Sequence, residues 1–238
     1  MKEKLLQNKY KILLCLIFII GILVRLVCID ILPKGLNQDE ASAGYEAFSI
    51  LNEGVDRHNK SFPVQFIAWG SGQNVLYSYI MTIFIAIFGN SVFAIRLPMA
   101  IVGCISLFVF YQLLKRNINK KVALIGLFFF AICPWHIMKS RWGLESNLFP
   151  DLILWSVFFI LEALRNKKMR FLYIGFIILA LSGYAYRYFI FLFTSICNTI
   201  INSIINKKTY IIKTGNYFFS NSICYRFTTN LICYYKYI

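Results

Sequence analysis

The feature that most constrains this chain is a pair of long apolar stretches, residues 97–114 and 122–138, that contain no Lys, Arg, Asp or Glu. An α-helix needs roughly 20 residues to cross the ~30 Å hydrocarbon core of a bilayer, and each stretch is close to that length. Only 15% of all residues are charged, against about 25% in a typical soluble domain. We therefore expect an all-α membrane protein.

The basic residues predict how the chain is threaded through the bilayer. A net charge of +15 would indicate nucleic-acid binding in a soluble protein. Here the cations form short clusters between apolar stretches, and excess Lys and Arg in short loops marks the cytoplasmic side. We therefore expect no nucleic acid among the partners. The clusters are Lys2, Lys4, Lys9 and Lys11; Lys115, Arg116, Lys120 and Lys121; Arg165, Lys167, Lys168 and Arg170; and Lys207, Lys208 and Lys213.

These clusters predict a multi-pass plasma-membrane protein with a cytoplasmic N-terminus. The first span, about residues 12–32, would be a retained signal anchor, and residues 33–95 would form one long outer loop. If residues 75–88 also crossed the bilayer, the second basic cluster would lie outside, so we expect this short stretch to lie in or dip into the interface as a juxtamembrane helix. The result is a polytopic bundle of about six transmembrane helices, with further spans near 97–114, 121–138, 148–164, 171–186 and 188–206.

The acidic residues collect on the predicted outer side. Only Glu3 and Glu162 of the ten acids fall on the inner side. Acids contribute little to topology, so this asymmetry indicates a functional face. The eight outer acids are Asp30, Asp39, Glu40, Glu46, Glu53, Asp56, Glu145 and Asp151.

The outer loop opens with a helix start at Asn37. Glu40 stands three residues later, which completes a capping-box pattern and explains Glu40 structurally. Asp39 is not needed for that box, although it would favour the helix start through the macrodipole. We expect an interfacial helix, with Asp39, Glu46 and Glu53 on one face and apolar residues on another. Asp39 is therefore a candidate catalytic carboxylate.

Arginines and a second acid fall on the same side. Arg141 and Glu145 have i,i+4 spacing, which a simple helix salt bridge would explain. Arg25, Arg96 and Arg187 lie near the predicted outer surface, where a guanidinium can bind a phosphate in a bidentate fork. A nearby carboxylate can take a proton from a hydroxyl group or hold a divalent cation. Asp39 and Glu145 are the candidate metal ligands, and they permit a cation without requiring one.

Several motifs, in order, resemble the integral-membrane glycosyltransferases of the GT-C fold, which include the protein O-mannosyltransferases and the bacterial aminoarabinose transferases. The resemblance covers about residues 10–195. It is carried by Leu36, Asn37, Gln38, Asp39, Glu40 and Ala41; Gly44 and Tyr45; Gly54, Val55, Asp56, Arg57 and His58; Phe62 and Pro63; Phe88, Gly89, Asn90 and Ser91; Arg96, Leu97 and Pro98; Pro134, Trp135 and His136; and Ser140 and Arg141.

The resemblance implies roles for individual residues. Asp39 matches the first acid of the family's Asp-Glu motif, a catalytic base or metal-side carboxylate; Glu40 is its neighbour, and Glu145 matches the acid of the second outer loop. Related enzymes often place a Lys-Pro pair where this chain has Gln73 and Asn74. The implied catalytic residues are Asp39, Glu40 and Glu145, and Arg25 and Arg96 match arginines that contact the lipid phosphate or support the site. The further candidate contacts for lipid phosphate or sugar are Arg141, Arg187, Gln73 and His58.

The expected activity is transfer of a sugar from a polyprenyl-phosphate donor to a hydroxyl acceptor of a protein, lipid or glycan. Residues 1–208 would form the N-terminal transmembrane part of such an enzyme. Residues 209–238 show neither helical nor strand period, as expected of a frameshifted or truncated continuation. A non-catalytic membrane remnant and a lipid or solute transporter remain alternatives, and the sequence selects neither sugar nor acceptor.

Overall fold

The computed structural model describes residues 2–68, 71–186 and 198. Arg187, the predicted span 188–206 and the unpatterned tail 209–238 lie outside the described residues, apart from residue 198. The described part is a bundle of α-helices with one small β-hairpin. The expected all-α membrane fold is confirmed.

The helices and strands follow one another in this order. They are α1 (Lys2–Leu26), α2 (Gln38–Glu53), β1 (Gln65–Ala68), β2 (Ser71–Asn74), α3 (Leu76–Phe88), α4 (Val92–Asn117), α5 (Lys120–Ile132), α6 (Pro134–Arg141), α7 (Glu145–Asn166) and α8 (Met169–Ala185). The antiparallel strands pair Gln65 with Asn74 and Ala68 with Ser71.

Two helices in the described part, α4 and α7, are each long and apolar enough to cross a membrane. The bent pair α5–α6 would make a third if it forms one span, whereas α3 and α8 are shorter apolar helices. Many large apolar side chains are exposed on the bundle, including Phe129 (63%) and Ile177 (60%). Exposed apolar surface on this scale is typical of a surface that faces lipid.

The helix predicted as a span at 121–138 is broken, with an angle of 56° between α5 and α6. Cys133 between them has non-helical backbone angles (φ −60°, ψ 115°). The break follows from Pro134, because proline has no N–H and disfavours helical geometry in the residue before it. Arg25 from α1 donates to the carbonyls of Phe130 (3.2 Å) and Ala131 (3.1 Å), beside the break.

Both ends of α3 lie near the first turns of α4. The Tyr77 hydroxyl, at the start of α3, donates to the Ile95 carbonyl (2.7 Å). At the other end, the ring of Phe88 packs edge-on against that of Phe93, with centroids 5.5 Å apart. A helix that crossed the bilayer beside α4 would have only one end there. These contacts favour the expectation that residues 75–88 do not span, which stays a prediction.

Helix α4 is the centre of the packing. One apolar cluster joins it to α2, α3 and α7, and a second joins it to α1 and α5. It also approaches α6 closely, because a Cβ added at Gly103 would lie 2.7 Å from the Cβ of Ser140. The elements that carry the candidate residues are therefore packed around a single long helix.

Three basic clusters meet at one end of the bundle. The Tyr10 hydroxyl is hydrogen-bonded to the Tyr111 hydroxyl (2.9 Å) and donates to the Lys120 carbonyl (3.3 Å). Arg165 donates to the Arg116 carbonyl (2.7 Å), which joins the α7–α8 turn to the end of α4. We call this surface the basic face, formed by Lys9, Lys11, Lys115, Arg116, Lys120, Lys121, Arg165, Lys167, Lys168 and Arg170. Its cytoplasmic location stays a prediction, and the fourth cluster lies outside the described residues.

Candidate functional site

The start of α2 places Asp39 and Glu40 in opposite environments. The expected capping box is present: the Asn37 side chain accepts from the backbone of the first turn, and the Asn37 N–H donates to Glu40 Oε2 (3.0 Å). Glu40 is fully buried, whereas Asp39, the residue before it, is exposed. The Asp39 carboxylate has no hydrogen-bond or ion-pair partner among the described residues.

Glu40 is held by partners from two distant segments. Arg96 of α4 binds it in a bidentate fork, with nitrogen–oxygen distances of 3.0 and 3.1 Å. The backbone N–H of Gly143, between α6 and α7, donates to its Oε1 (2.7 Å). The carboxylate of Glu40 therefore fixes α2 against α4 and the α6–α7 turn. A catalytic role for Glu40 stays a prediction, and its contacts are those of a structural anchor.

Arg96 has all five of its N–H donors engaged inside the chain, and none is exposed. Besides Glu40, its guanidinium donates to the carbonyls of Ile29 (2.9 Å), Pro33 (2.8 Å) and Gly35 (2.5 Å). A guanidinium has five donors and no acceptor, so no donor is left for a phosphate. The observed role of Arg96 is to hold the linker between α1 and α2.

Arg141 is used in the same way, and it does not form the salt bridge with Glu145 that would have explained their i,i+4 spacing. Helix α6 ends at Arg141 and α7 begins at Glu145, so the two residues do not share a helix turn. The guanidinium instead binds the end of α1, where the last carbonyls lack helical partners. It donates to the carbonyls of Val24 (2.7 Å), Val27 (2.8 Å), Cys28 (3.0 Å) and Leu32 (3.0 Å).

Arg25 is also fully buried, and it lies in a polar cluster that the sequence did not single out. Besides the carbonyls at the α5–α6 break, it donates to Gly21 O (2.7 Å) and to His136 Nδ1 (2.7 Å). Because a guanidinium only donates, Nδ1 accepts and the imidazole proton is on Nε2. That nitrogen donates to Asp151 Oδ1 (3.3 Å), and Lys139 pairs with the other oxygen of Asp151.

This cluster supports the α6–α7 turn. Lys139 also donates to the Asn147 carbonyl (3.1 Å), in the first turn of α7. His136, Lys139 and Asp151 are each almost completely buried. Ionisable residues inside apolar stretches are a recognised sign of a built polar site, and that sign was present in the sequence at His136 and Asp151.

A second row of hydrogen-bonded polar side chains ends at Glu145. Gln73 of β2 donates to Glu145 Oε2 (3.2 Å) and accepts from the Ser42 hydroxyl of α2 (3.3 Å). Arg57 donates to Ser42 Oγ (2.6 Å) and is ion-paired with buried Glu46. Glu46, expected on an exposed acidic face with Asp39, is therefore buried. Ser42 was not predicted, and Arg57 entered only as part of a motif.

Gln73 links Glu145 to Ser42, which lies one helical turn beyond Asp39 in α2. Glu145 is only partly buried, and Asp39 is exposed. Two carboxylates can hold Mg²⁺ when substrate phosphates and waters supply its other ligands. The described residues contain no cluster of three or more Asp, Glu, His or Cys that could hold a metal ion. His58 lies apart, on an exposed turn, with its Nε2 3.3 Å from the Ile67 carbonyl.

Comparison with known proteins identifies the family. The family model described as dolichyl-phosphate-mannose-protein mannosyltransferase matches residues 73–220, more than half of the chain. The chain belongs to this family. It is therefore a glycosyltransferase of the mannosyltransferase type with a GT-C-like fold, and the expected resemblance is confirmed. The matched region contains Gln73, Arg96, Arg141 and Glu145 and begins after Asp39. No curated protein and no solved structure matches the chain.

Proposed function

We propose that this chain transfers a sugar, mannose or a related residue, from a polyprenyl-phosphate donor to a hydroxyl acceptor, with Asp39 as the catalytic base. The family supports a lipid-linked mannosyl donor in general terms. The observation that carries the assignment of Asp39 is its contrast with Glu40. Glu40 has partners from three segments, whereas the exposed Asp39 carboxylate is free to meet a substrate.

The reaction proceeds by a single displacement with inversion. The acceptor oxygen attacks the anomeric carbon while the bond from that carbon to the phosphate oxygen breaks. Asp39 takes the proton of the acceptor hydroxyl, and polyprenyl phosphate leaves with the bonding electrons. A positioned general base contributes about 10²–10⁴-fold to such a rate. Glu145, which Gln73 connects to the turn of α2 that follows Asp39, orients the acceptor.

An apolar groove next to this region suits the isoprenoid part of the donor. It has a volume of about 660 Å³ and is lined by the end of α1, the following linker and α6, including Val27, Leu32, Pro33, Ile137 and Met138. Long apolar ligands bind in concave apolar surfaces of this size. Leu32 and Pro33 line the groove and shortly precede α2 in the sequence, and we therefore place the phosphate end of the donor on the side of Asp39.

The described arginines at this end support the backbone around the site and do not bind the donor phosphate. The donors of Arg96 and Arg141 are bound to chain oxygens, and Arg25 is buried. Asp39 and Glu145 are the residues that would hold a divalent cation, whose charge would offset that of the donor phosphate. A phosphate contact by Arg187 stays a prediction, since that residue lies outside the described residues.

We assign the Asp39 end to the outer face of the plasma membrane and the basic face to the cytoplasm. Arg96 and Arg116 are separated along α4 by about 30 Å at 1.5 Å per residue, close to the thickness of a hydrocarbon core. The positive-inside rule then gives the orientation. An epitope inserted after Asn59, on an exposed turn, should bind antibody on intact cells. Binding only after permeabilisation would reverse the assignment.

The deciding experiment compares Asp39→Asn with Asp30→Asn, a matched exposed carboxylate, in membranes supplied with radiolabelled polyprenyl-phosphate mannose. We expect Asp39→Asn to lower transfer at least about 10²-fold while protein level and donor binding are unchanged. Asp30→Asn should retain transfer. Full transfer by Asp39→Asn would remove Asp39 from the mechanism. Donor binding without transfer by the unaltered chain would support the non-catalytic alternative.

A further inference from the structure

The basic face carries far more positive charge than the fold uses. Nine of its ten cations are exposed, and Lys115 is partly exposed. Among the described side chains, one acid lies at this end, Glu162. It is buried and bound to Arg116 and Asn166. Apart from Arg116, the cations of the basic face form no ion pair with a carboxylate among the described side chains.

Several of these cations occupy positions that disfavour helix formation. Lys120 and Lys121 begin α5, and Lys168 and Arg170 stand at the start of α8. The N-terminus of a helix carries partial positive charge, so cations there are unfavourable. The Asn119 side chain already caps α5 by accepting from the Val122 N–H (2.9 Å). Helix capping therefore does not account for these lysines.

The same surface exposes large apolar side chains beside the cations. Ile118 is 58% exposed, Leu164 69% and Met169 58%. Ile118 lies between α4 and α5, Leu164 in the last turn of α7 and Met169 at the start of α8. Apolar side chains beside long basic ones suit the boundary of a bilayer, where methylene stems contact acyl chains and charged groups reach the headgroups.

We propose that the basic face is a binding surface for anionic phospholipid headgroups, which bridge the α4–α5 and α7–α8 turns. The Arg165 contact with the Arg116 carbonyl holds these turns together, so that one headgroup phosphate can meet cations from both. Helix N-termini also favour bound anions, and α5 and α8 both begin here. A bound phosphate thus offsets the repulsion among the cations and between the cations and the helix ends.

The test measures lipid selectivity of the purified full chain in nanodiscs, by competition between spin-labelled phosphatidylglycerol and phosphatidylcholine. We expect the unaltered chain to prefer phosphatidylglycerol, and high salt to weaken that preference. A basic residue near an anionic surface contributes about fivefold to binding. The variant K120Q/K121Q/K167Q/K168Q should therefore lose roughly tenfold or more of the preference.

The matched control is K34Q/K60Q, which removes exposed lysines at the other end of the bundle and should keep the full preference. An equal loss in both variants, or no preference in the unaltered chain, would overturn the proposal. Displacement of the labelled lipid by RNA at equivalent phosphate concentration would also overturn it, in favour of a general polyanion surface. If the fourfold variant fails to insert, the pair K167Q/K168Q gives the same comparison, with a loss of several-fold expected.

Discussion

The two ends of the bundle use positively charged side chains in opposite ways. At the candidate site, Arg25, Arg96 and Arg141 are buried, and their donors are bound mainly to carbonyl oxygens of the chain. At the basic face, Lys and Arg side chains are exposed. One ion pair occurs there among the described residues, between Arg116 and Glu162. The buried cations determine where the backbone lies, whereas the exposed ones, apart from Arg165, mainly set the charge of a surface.

This difference shows why the presence of an arginine does not by itself assign that arginine a function. An arginine near the predicted membrane surface fits either a phosphate or a set of backbone carbonyls, because both present several oxygens to a guanidinium. The linker between α1 and α2 contains carbonyls without helical partners, and Arg96 and Arg141 bind them. The observed geometry makes these arginines supports for the end of α1 and for the linker to α2.

The largest expected difference between the two ends is in stability. Replacing Arg96 by Ala leaves Glu40 as a buried, unpaired carboxylate and frees three backbone carbonyls, at a cost of about 3–5 kcal/mol. Lys121→Ala at the basic face removes an exposed side chain that makes no ion pair among the described residues, and it should change the unfolding midpoint little. Thermal unfolding in detergent, followed by tryptophan fluorescence, measures both. Similar losses for the two variants would contradict the distinction.

A smaller effect is expected from closing the space at Gly143. A Cβ there would lie 2.9 Å from the Ile95 carbonyl oxygen, a backbone atom that cannot move aside easily. Gly143→Ala should therefore cost about 1–3 kcal/mol and weaken the hydrogen bond to Glu40. Gly126→Ala is the control, because its Cβ would meet the flexible end of Leu114. That variant should be neutral or slightly stabilising in the same unfolding assay.

Gln73→Ala tests the row of hydrogen-bonded polar side chains that ends at Glu145. The change removes hydrogen bonds to Ser42 and Glu145 and should cost about 1 kcal/mol. Transfer should fall further than stability requires, because Glu145 loses the group that orients it. Gln65→Ala, on the exposed side of the neighbouring strand, serves as the control. If transfer per folded molecule is unchanged in Gln73→Ala, Glu145 does not need this support.

The smallest effect is expected at the start of α5. In phosphatidylcholine nanodiscs, K120Q/K121Q should leave the unfolding midpoint unchanged or slightly higher, because two cations are removed from the positive end of the helix dipole. In nanodiscs that contain phosphatidylglycerol, the same variant should be less stable than the unaltered chain. A loss of stability in both lipids would mean that these lysines support the fold itself.

Much of the local structure could be predicted. The capping box at Asn37 and Glu40 is found where its spacing places it, and helices α4 and α7 cover the stretches expected to span. The break between α5 and α6 was not predicted, although Pro134 within the apolar stretch is the residue that causes it. The burial of Glu46 was missed because its partner, Arg57, approaches only after the chain reverses beyond Gly54.

The sequence by itself determined that this chain is a helical membrane protein of the glycosyltransferase family, since apolar length, charge clusters and ordered motifs are local properties. Tertiary structure alone decided which polar groups are free. Arg96 meets Glu40 across 56 positions of the chain, and Arg141 reaches Val24 across 117. A hydrogen bond consumes a donor regardless of sequence distance, so only the folded chain separates the engaged Glu40 from the unengaged Asp39.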